Sequence, residues 1–159
     1  MKRIATVLVS GAMLVGVVAV AAAPASAASA AVKAAPNKKL VNGQQINVSG
    51  SHFDPNWPPT DGKHFVAVAE CSAGVLTGDQ AACDQTSPNN PQTAPGDAVL
   101  TNSDSHGKVG PVAFKVLTGT VGDGTCDSAH ACYMTIAEVD TVSGPPHIDK
   151  FAFTKIAFK

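Results

Sequence analysis

The chain has 159 residues, of which 45% are hydrophobic, 5% aromatic and 14% charged, and its formal net charge is −1. That length makes one domain. The charged share lies well below the roughly 25% of an average soluble protein, which excludes a charge-driven disordered chain and a highly charged nucleic-acid binder.

Residues 1–27 read as a secretory signal peptide. Lys2 and Arg3 form a positive start, Ile4 to Ala23 is an apolar run, and Pro24-Ala25-Ser26-Ala27 supplies a small-residue cleavage site. An uncleaved anchor is the rival reading, since such a run is just long enough to span a bilayer. The small residues at its end favour cleavage after Ala27. The remaining 132 residues then carry nine lysines, 12 acidic residues and no arginine, a net charge of −3. Direct nucleic-acid binding is not expected from such a chain, because arginine is the usual bidentate reader of guanine and phosphate. The expected product is secreted, extracellular, free of the membrane after cleavage and monomeric.

Residues 28–38 are rich in Ala, Ser and Lys and read as a flexible N-terminal tail. Residues 39–159 form the domain. Turn signals recur along it about every ten residues: Asn42-Gly43, Asp54-Pro55, Pro58-Pro59, Asp61-Gly62, Pro95-Gly96, His106-Gly107, Gly122-Asp123-Gly124 and Gly144-Pro145-Pro146. No helical period survives between them. Strands are predicted at 45–50, 64–71, 98–101, 108–117, 131–140 and 148–159. In the last, Phe151 and Phe153 share one parity while Ile156 and Phe158 share the other, which predicts a bulge near Thr154. Seven or so short strands at this spacing predict an all-β domain with a β-sandwich as the leading architecture.

All four cysteines, Cys71, Cys83, Cys126 and Cys132, lie beyond the leader. An even number in an exported chain reads as disulfides, and three pairings are possible. Local pairing, Cys71–Cys83 and Cys126–Cys132, closes the shortest loops and is the expected one. Each bridge then contributes roughly 2–3 kcal/mol. No C-x-x-C and no finger-spaced His pair exists, so no metal site is expected.

Nothing in the sequence marks an enzyme. There is no G-x-S-x-G, and paired cysteines leave no thiol nucleophile. His52, His64, His106, His130 and His147 fall in separate turns or strand starts. Asp123, Asp127 and His130 share a Gly-rich segment, a turn composition before it is a cation site. No catalytic residue and no cofactor are assigned.

Side-chain size carries more information. The 64–71 strand presents Ala67 and Ala69 beside Cys71 on one parity, and the 131–140 strand presents Tyr133, Thr135 and Ala137. If these strands pair, small groups on a shared face leave a trough for an apolar ligand. The alternative is an ordinary solvent face.

Several segments resemble the neocarzinostatin family. Asn47 to Pro55 is similar to that family's opening strand and turn, and Val66-Ala67-Val68-Ala69-Glu70-Cys71 to its strand ending in the first cysteine. Gly124-Thr125-Cys126 through Cys132, Asp140 and the closing Ile156-Ala157-Phe158 resemble its C-terminal third. The resemblance implies an immunoglobulin-like seven-stranded β-sandwich with two local disulfides, an actinomycete apoprotein that holds a small apolar, enediyne-type chromophore and shields it from solvent. It implies an antibiotic carrier in which the ligand, not the protein, damages DNA. It also implies a cleft of Ala67, Ala69, Tyr133, Thr135 and Ala137 beside the first disulfide, Cys71 and Cys83. The aromatic residues that grip the family's chromophore have no counterpart in Ser72-Ala73-Gly74 or in 118–125, so a clamp is expected to be missing. The competing expectation is a cell-surface interaction module without a chromophore, its contact the Trp57 loop.

Overall fold

A computed structural model describes residues 29–57, 64–84, 91–142 and 146–159. The leader, the Pro58-Pro59, Asp61-Gly62 and Gly144-Pro145 turn signals lie outside the described residues.

Alternating apolar residues with no helical period give an all-β domain. Its strands are β1 (Ala31–Ala35), β2 (Gln45–Ser51), β3 (His64–Cys71), β4 (Val99–Thr101), β5 (Val109–Lys115), β6 (Gly119–Val121), β7 (Gly124–Cys126), β8 (Cys132–Asp140) and β9 (His147–Ile156). Seven of them make two sheets, ordered β1-β2-β5 and β4-β3-β8-β9, and β6-β7 is a separate ribbon. All strand pairs are antiparallel. The expected sandwich with two local disulfides is therefore present, and the pairings are Cys71–Cys83 and Cys126–Cys132.

The main core lies between the sheets. Val32, Ile46, Val48, Val109 and Phe114 come from one side, and Val66, Val68, Met134, Ile136, Ala152 and Ile156 from the other. Burying each such side chain favours folding by roughly 1.5–3 kcal/mol.

Two sequence expectations are corrected here. The stretch 28–38 is not a tail throughout: Ala31–Ala35 forms β1, paired along its length with Asn47–Ser51 of β2. Its composition hid one alternation, in which Val32 points into the core and the residues beside it point out. The bulge in the last strand is also elsewhere. Register shifts where Glu138 and Val139 oppose Lys150 and Ile148, leaving Asp149 as the extra residue. Past that point β9 alternates without a break, with Ala152 and Ile156 buried and Phe151 and Phe153 exposed. The two phenylalanines are outward residues of a regular strand.

Close approaches at two glycines hold the loops. Gly107 has φ 68°, and a Cβ there would lie 2.1 Å from the Phe53 carbonyl oxygen. Gly122, in the β6–β7 turn, has φ 57° and would place a Cβ 2.4 Å from the Ala81 carbonyl oxygen. A side chain at either site meets both backbone strain and a clash.

Candidate functional site

Directly opposed residues of an antiparallel pair share a face. In the β3–β8 pair Ala67 faces Ala137, Ala69 faces Thr135 and Cys71 faces Tyr133. In the β8–β9 pair Ala137 faces Phe151, Thr135 faces Phe153 and Tyr133 faces Lys155. The outer face of the four-stranded sheet thus carries short side chains along its centre and phenylalanines along β9. The difference in height is a trough.

Its second wall is the segment after β3. Two short 3₁₀ turns, Ala73–Thr77 and Gln80–Ala82, fold back over the sheet. Three contacts hold them there: the Cys71–Cys83 bridge, the Ser72 N–H donating to the Ala82 carbonyl at 2.8 Å, and the Asp123 N–H donating to the Ala81 carbonyl at 2.9 Å. Val75, Ala82 and Ala98 pack with Ala69 and Cys71 into a small apolar cluster separate from the main core. Between the walls lies a cavity of about 390 Å³. That is within the usual range of small-molecule sites.

Of the residues named in the sequence as a ligand site, Ala67, Ala69, Thr135, Ala137 and Cys83 line this cavity. Phe65, Val139, Ile148 and Phe151 extend the apolar lining. Two expected residues take other places. Cys71 is fully buried behind the wall, its sulfur 3.1 Å from the Thr135 hydroxyl oxygen. Tyr133 stands beyond the cavity, edge-on to Phe153 with centroids 5.7 Å apart. Phe153 stacks on Phe151 at 6.2 Å. Aromatic residues therefore do line the trough, Phe65 from β3 and Phe151 from β9, with Phe153 and Tyr133 continuing the row beyond it, and they come from strands instead of the loops where the family's clamp lies. Phe151 and Phe153 were missed because their parity was read as a bulge; the period-two pattern of Phe151, Phe153 and Lys155 against Ala152, Thr154 and Ile156 was the available signal.

Polar groups are few and acidic. Asp79 and Asp84 line the cavity with Gln80, and no basic side chain does so among the described residues. An Asp79 carboxylate oxygen accepts the Ala81 N–H at 2.9 Å and caps the second 3₁₀ turn. On the opposite, core-facing side of the sheet sits Glu70, fully buried. One of its oxygens accepts the Leu117 N–H at 2.8 Å, and the other has no partner in the structure. Burial pushes its carboxyl up to about 8, against the opposing pull of the Leu117 hydrogen bond. Glu138 is likewise buried, accepts the Asp54 N–H at 2.6 Å, and is raised by desolvation.

Other candidate chemistry does not assemble among the described residues. Asp127 accepts from the Ala129 and His130 backbone N–H groups and pairs with the His130 ring at 2.9 Å, which closes a turn. Those hydrogen bonds hold its carboxyl below the ordinary range. The sulfurs of Cys126 and Cys132 lie near Glu70, but they are bonded to each other and offer no thiolate to a metal. Trp57 is partly buried: it packs against the main core, sets its ring edge-on to His64 at 4.9 Å, and donates its indole N–H to the Phe65 carbonyl at 3.3 Å, while residues 58–63 of its loop lie outside the described residues.

No protein-family model matches the sequence, and no curated protein matches it. The solved structure of macromomycin does match, with a TM-score of 0.50, over 82% of this chain and 100% of that one, at 20% sequence identity. The chain shares the fold of macromomycin. That structure is an apoprotein of the neocarzinostatin family, the family whose segments the sequence resembles. At this identity the likeness speaks for the arrangement of strands and disulfides, and the side chains of the cleft have to be read in their own right.

Proposed function

We propose that this chain is a secreted carrier that binds a small apolar molecule in the trough of the four-stranded sheet and shields it from solvent. One observation carries the reading: an apolar cavity of about 390 Å³ whose floor is built from Ala67, Ala69, Thr135 and Ala137. Short side chains let a guest approach the sheet backbone, and the disulfide-closed wall holds it from the other side. No chemistry is required of the protein. A preformed cleft excludes water, and the guest keeps its own reactivity. The macromomycin fold supports a chromophore-type guest, including an enediyne. Phe151, Phe153 and Tyr133 would supply aromatic surface for such a guest. That Trp57 is partly buried against the main core favours the carrier over an interaction module.

The test is mass spectrometry of protein purified gently from culture medium, native against denatured. The expected result is an extra native mass that disappears on denaturation, over a polypeptide beginning near residue 28 and lacking four hydrogens. Bare protein in both spectra, together with no binding of the apolar dye Nile red by refolded protein, refutes the carrier.

A further inference from the structure

The two disulfides sit in opposite chemical surroundings. Cys126 and Cys132 are both fully buried, and a Glu70 carboxyl oxygen lies within 4.8 Å of both sulfurs. An attacking thiolate has no route to sulfurs buried on the core side of the sheet. The other bridge has an exposed side and a prepared side. Cys83 is half-buried and lines the cavity. Cys71 is fully buried, and its sulfur, which carries no proton in a disulfide, receives the Thr135 hydroxyl at 3.1 Å.

We propose that Cys71–Cys83 is a thiol-exchange site, opened through the cavity by a small neutral or cationic thiol. The thiolate sulfur attacks Sγ of Cys83. A new S–S bond forms there, the Cys71–Cys83 bond breaks, and its electron pair leaves on Sγ of Cys71. The Thr135 hydroxyl donates to that developing thiolate, which lowers the cost of its departure. A second thiolate then attacks the mixed disulfide, freeing Cys83 and forming the oxidised dimer of the small thiol. Two thiols are oxidised, one protein disulfide is reduced, and the protons given up by the attacking thiols pass through solvent to the two new cysteine thiols. Asp79 and Asp84 select the reductant, because their charge repels an anionic thiol from the cavity. Opening the bridge leaves the 3₁₀ wall held by backbone hydrogen bonds, so a guest in the trough is released. That last consequence rests on the carrier reading; the exchange itself does not.

The experiment treats the oxidised, folded mature chain with cysteamine, 2-mercaptoethanol or glutathione, traps thiols with iodoacetamide and follows both cysteine pairs by peptide mass spectrometry. Cys71 and Cys83 should be labelled at least about tenfold faster than Cys126 and Cys132. Cysteamine should outpace glutathione by more than their thiolate fractions explain. Thr135→Val should slow the first bridge several-fold, and Thr135→Ser should restore it. Equal labelling of the two bridges in wild-type protein, or Cys126–Cys132 opening first, overturns the proposal whatever the variants do. Nile red bound beforehand should slow labelling of Cys83, and its emission should fall as the bridge opens. Absence of Nile red binding with the labelling order intact refutes the carrier and leaves the exchange site standing.

Discussion

The two faces of one sheet show how a strand alternation becomes either a core or a cleft. On the inner face Val66, Val68, Met134 and Ile136 meet a second sheet that fills the space between them. On the outer face the same strands carry Ala67, Ala69, Thr135 and Ala137, and a short disulfide-closed segment covers one side of them. Backbone geometry is the same on both faces. The difference lies in side-chain volume and in what packs above it. A large residue on the inner face is stabilising because it has neighbours; a small one on the outer face leaves a space of defined shape.

Breaking the inner face should cost the most. Ile136 is fully buried. Ile136→Ala removes apolar contact and leaves a void, with an expected loss of about 2–5 kcal/mol in denaturant unfolding. Below the lowered melting temperature, Nile red affinity should stay within about twofold, because the substituted side chain points away from the trough. An equal loss of dye binding would show that the faces are not separable.

Glu70 sharpens the same comparison by pH. Its carboxyl is raised in the folded chain from 4.5 to about 8. The folded state therefore holds a proton that the unfolded chain gives up. That stabilisation is complete below about pH 4.5 and is lost as pH rises through about 8, at up to about 1.4 kcal/mol per pH unit across the window. Glu138, raised by the same cause, contributes with the same sign. Urea unfolding of wild-type protein at pH 5 to 9 should show stability falling with pH. Glu70→Gln should flatten that slope and be the more stable form at the alkaline end. A wild-type slope of the opposite sign, or one untouched by Glu70→Gln, would mean the carboxyl is not desolvated.

Filling the outer face should separate binding from stability. Ala67 lines the centre of the trough floor and is only half-buried. Ala67→Trp should lower Nile red affinity at least about tenfold, or ~1.4 kcal/mol. Its effect on unfolding free energy should stay within about 1 kcal/mol, because the ring enters open space instead of a packed core. Unchanged dye affinity would place the binding site elsewhere on the molecule.

The sequence makes this division only half visible. Strand β3 is read at its observed limits, since His64 to Cys71 alternates without interruption and is bounded by turn residues. The small-residue parity of β3 and β8 is also plain. What periodicity cannot supply is the partner of each face. Nothing in Ala67 or Ala137 says whether sheet, loop or solvent lies above. Strand β1 is hidden because Val32 is its one large apolar residue and the alanines around it, Ala34 on the same face included, carry little signal, and its stability comes from pairing with β2. The rim was hidden for a related reason. Phe151 and Phe153 share one parity and Ile156 and Phe158 the other, four large apolar residues that in sequence read as a strand with a bulge and leave open which pair faces out. The 45% and 38% exposure of Phe151 and Phe153 is informative because outward phenylalanines side by side have no role in a core.

That rim gives the smallest expected effect and the most selective one. Phe151 lines the cavity, lies opposite Ala137 in the sheet and stacks on Phe153, which in turn meets the edge of Tyr133. Phe151→Ala removes one ring from this row without opening the inner core. Aromatic pairs contribute about 0.5–1.5 kcal/mol beyond their buried area, so an aromatic guest should bind about three- to tenfold more weakly. A saturated guest of similar volume should lose less, since it draws on shape alone. Titrating Phe151→Ala and Phe151→Leu with Nile red and with a fluorescent alkyl probe distinguishes the two contributions. Loss of aromatic preference in both variants assigns the preference to the ring. Equal weakening for both probes would reduce the rim to a steric wall, and the trough would then recognise its guest through the alanine floor alone.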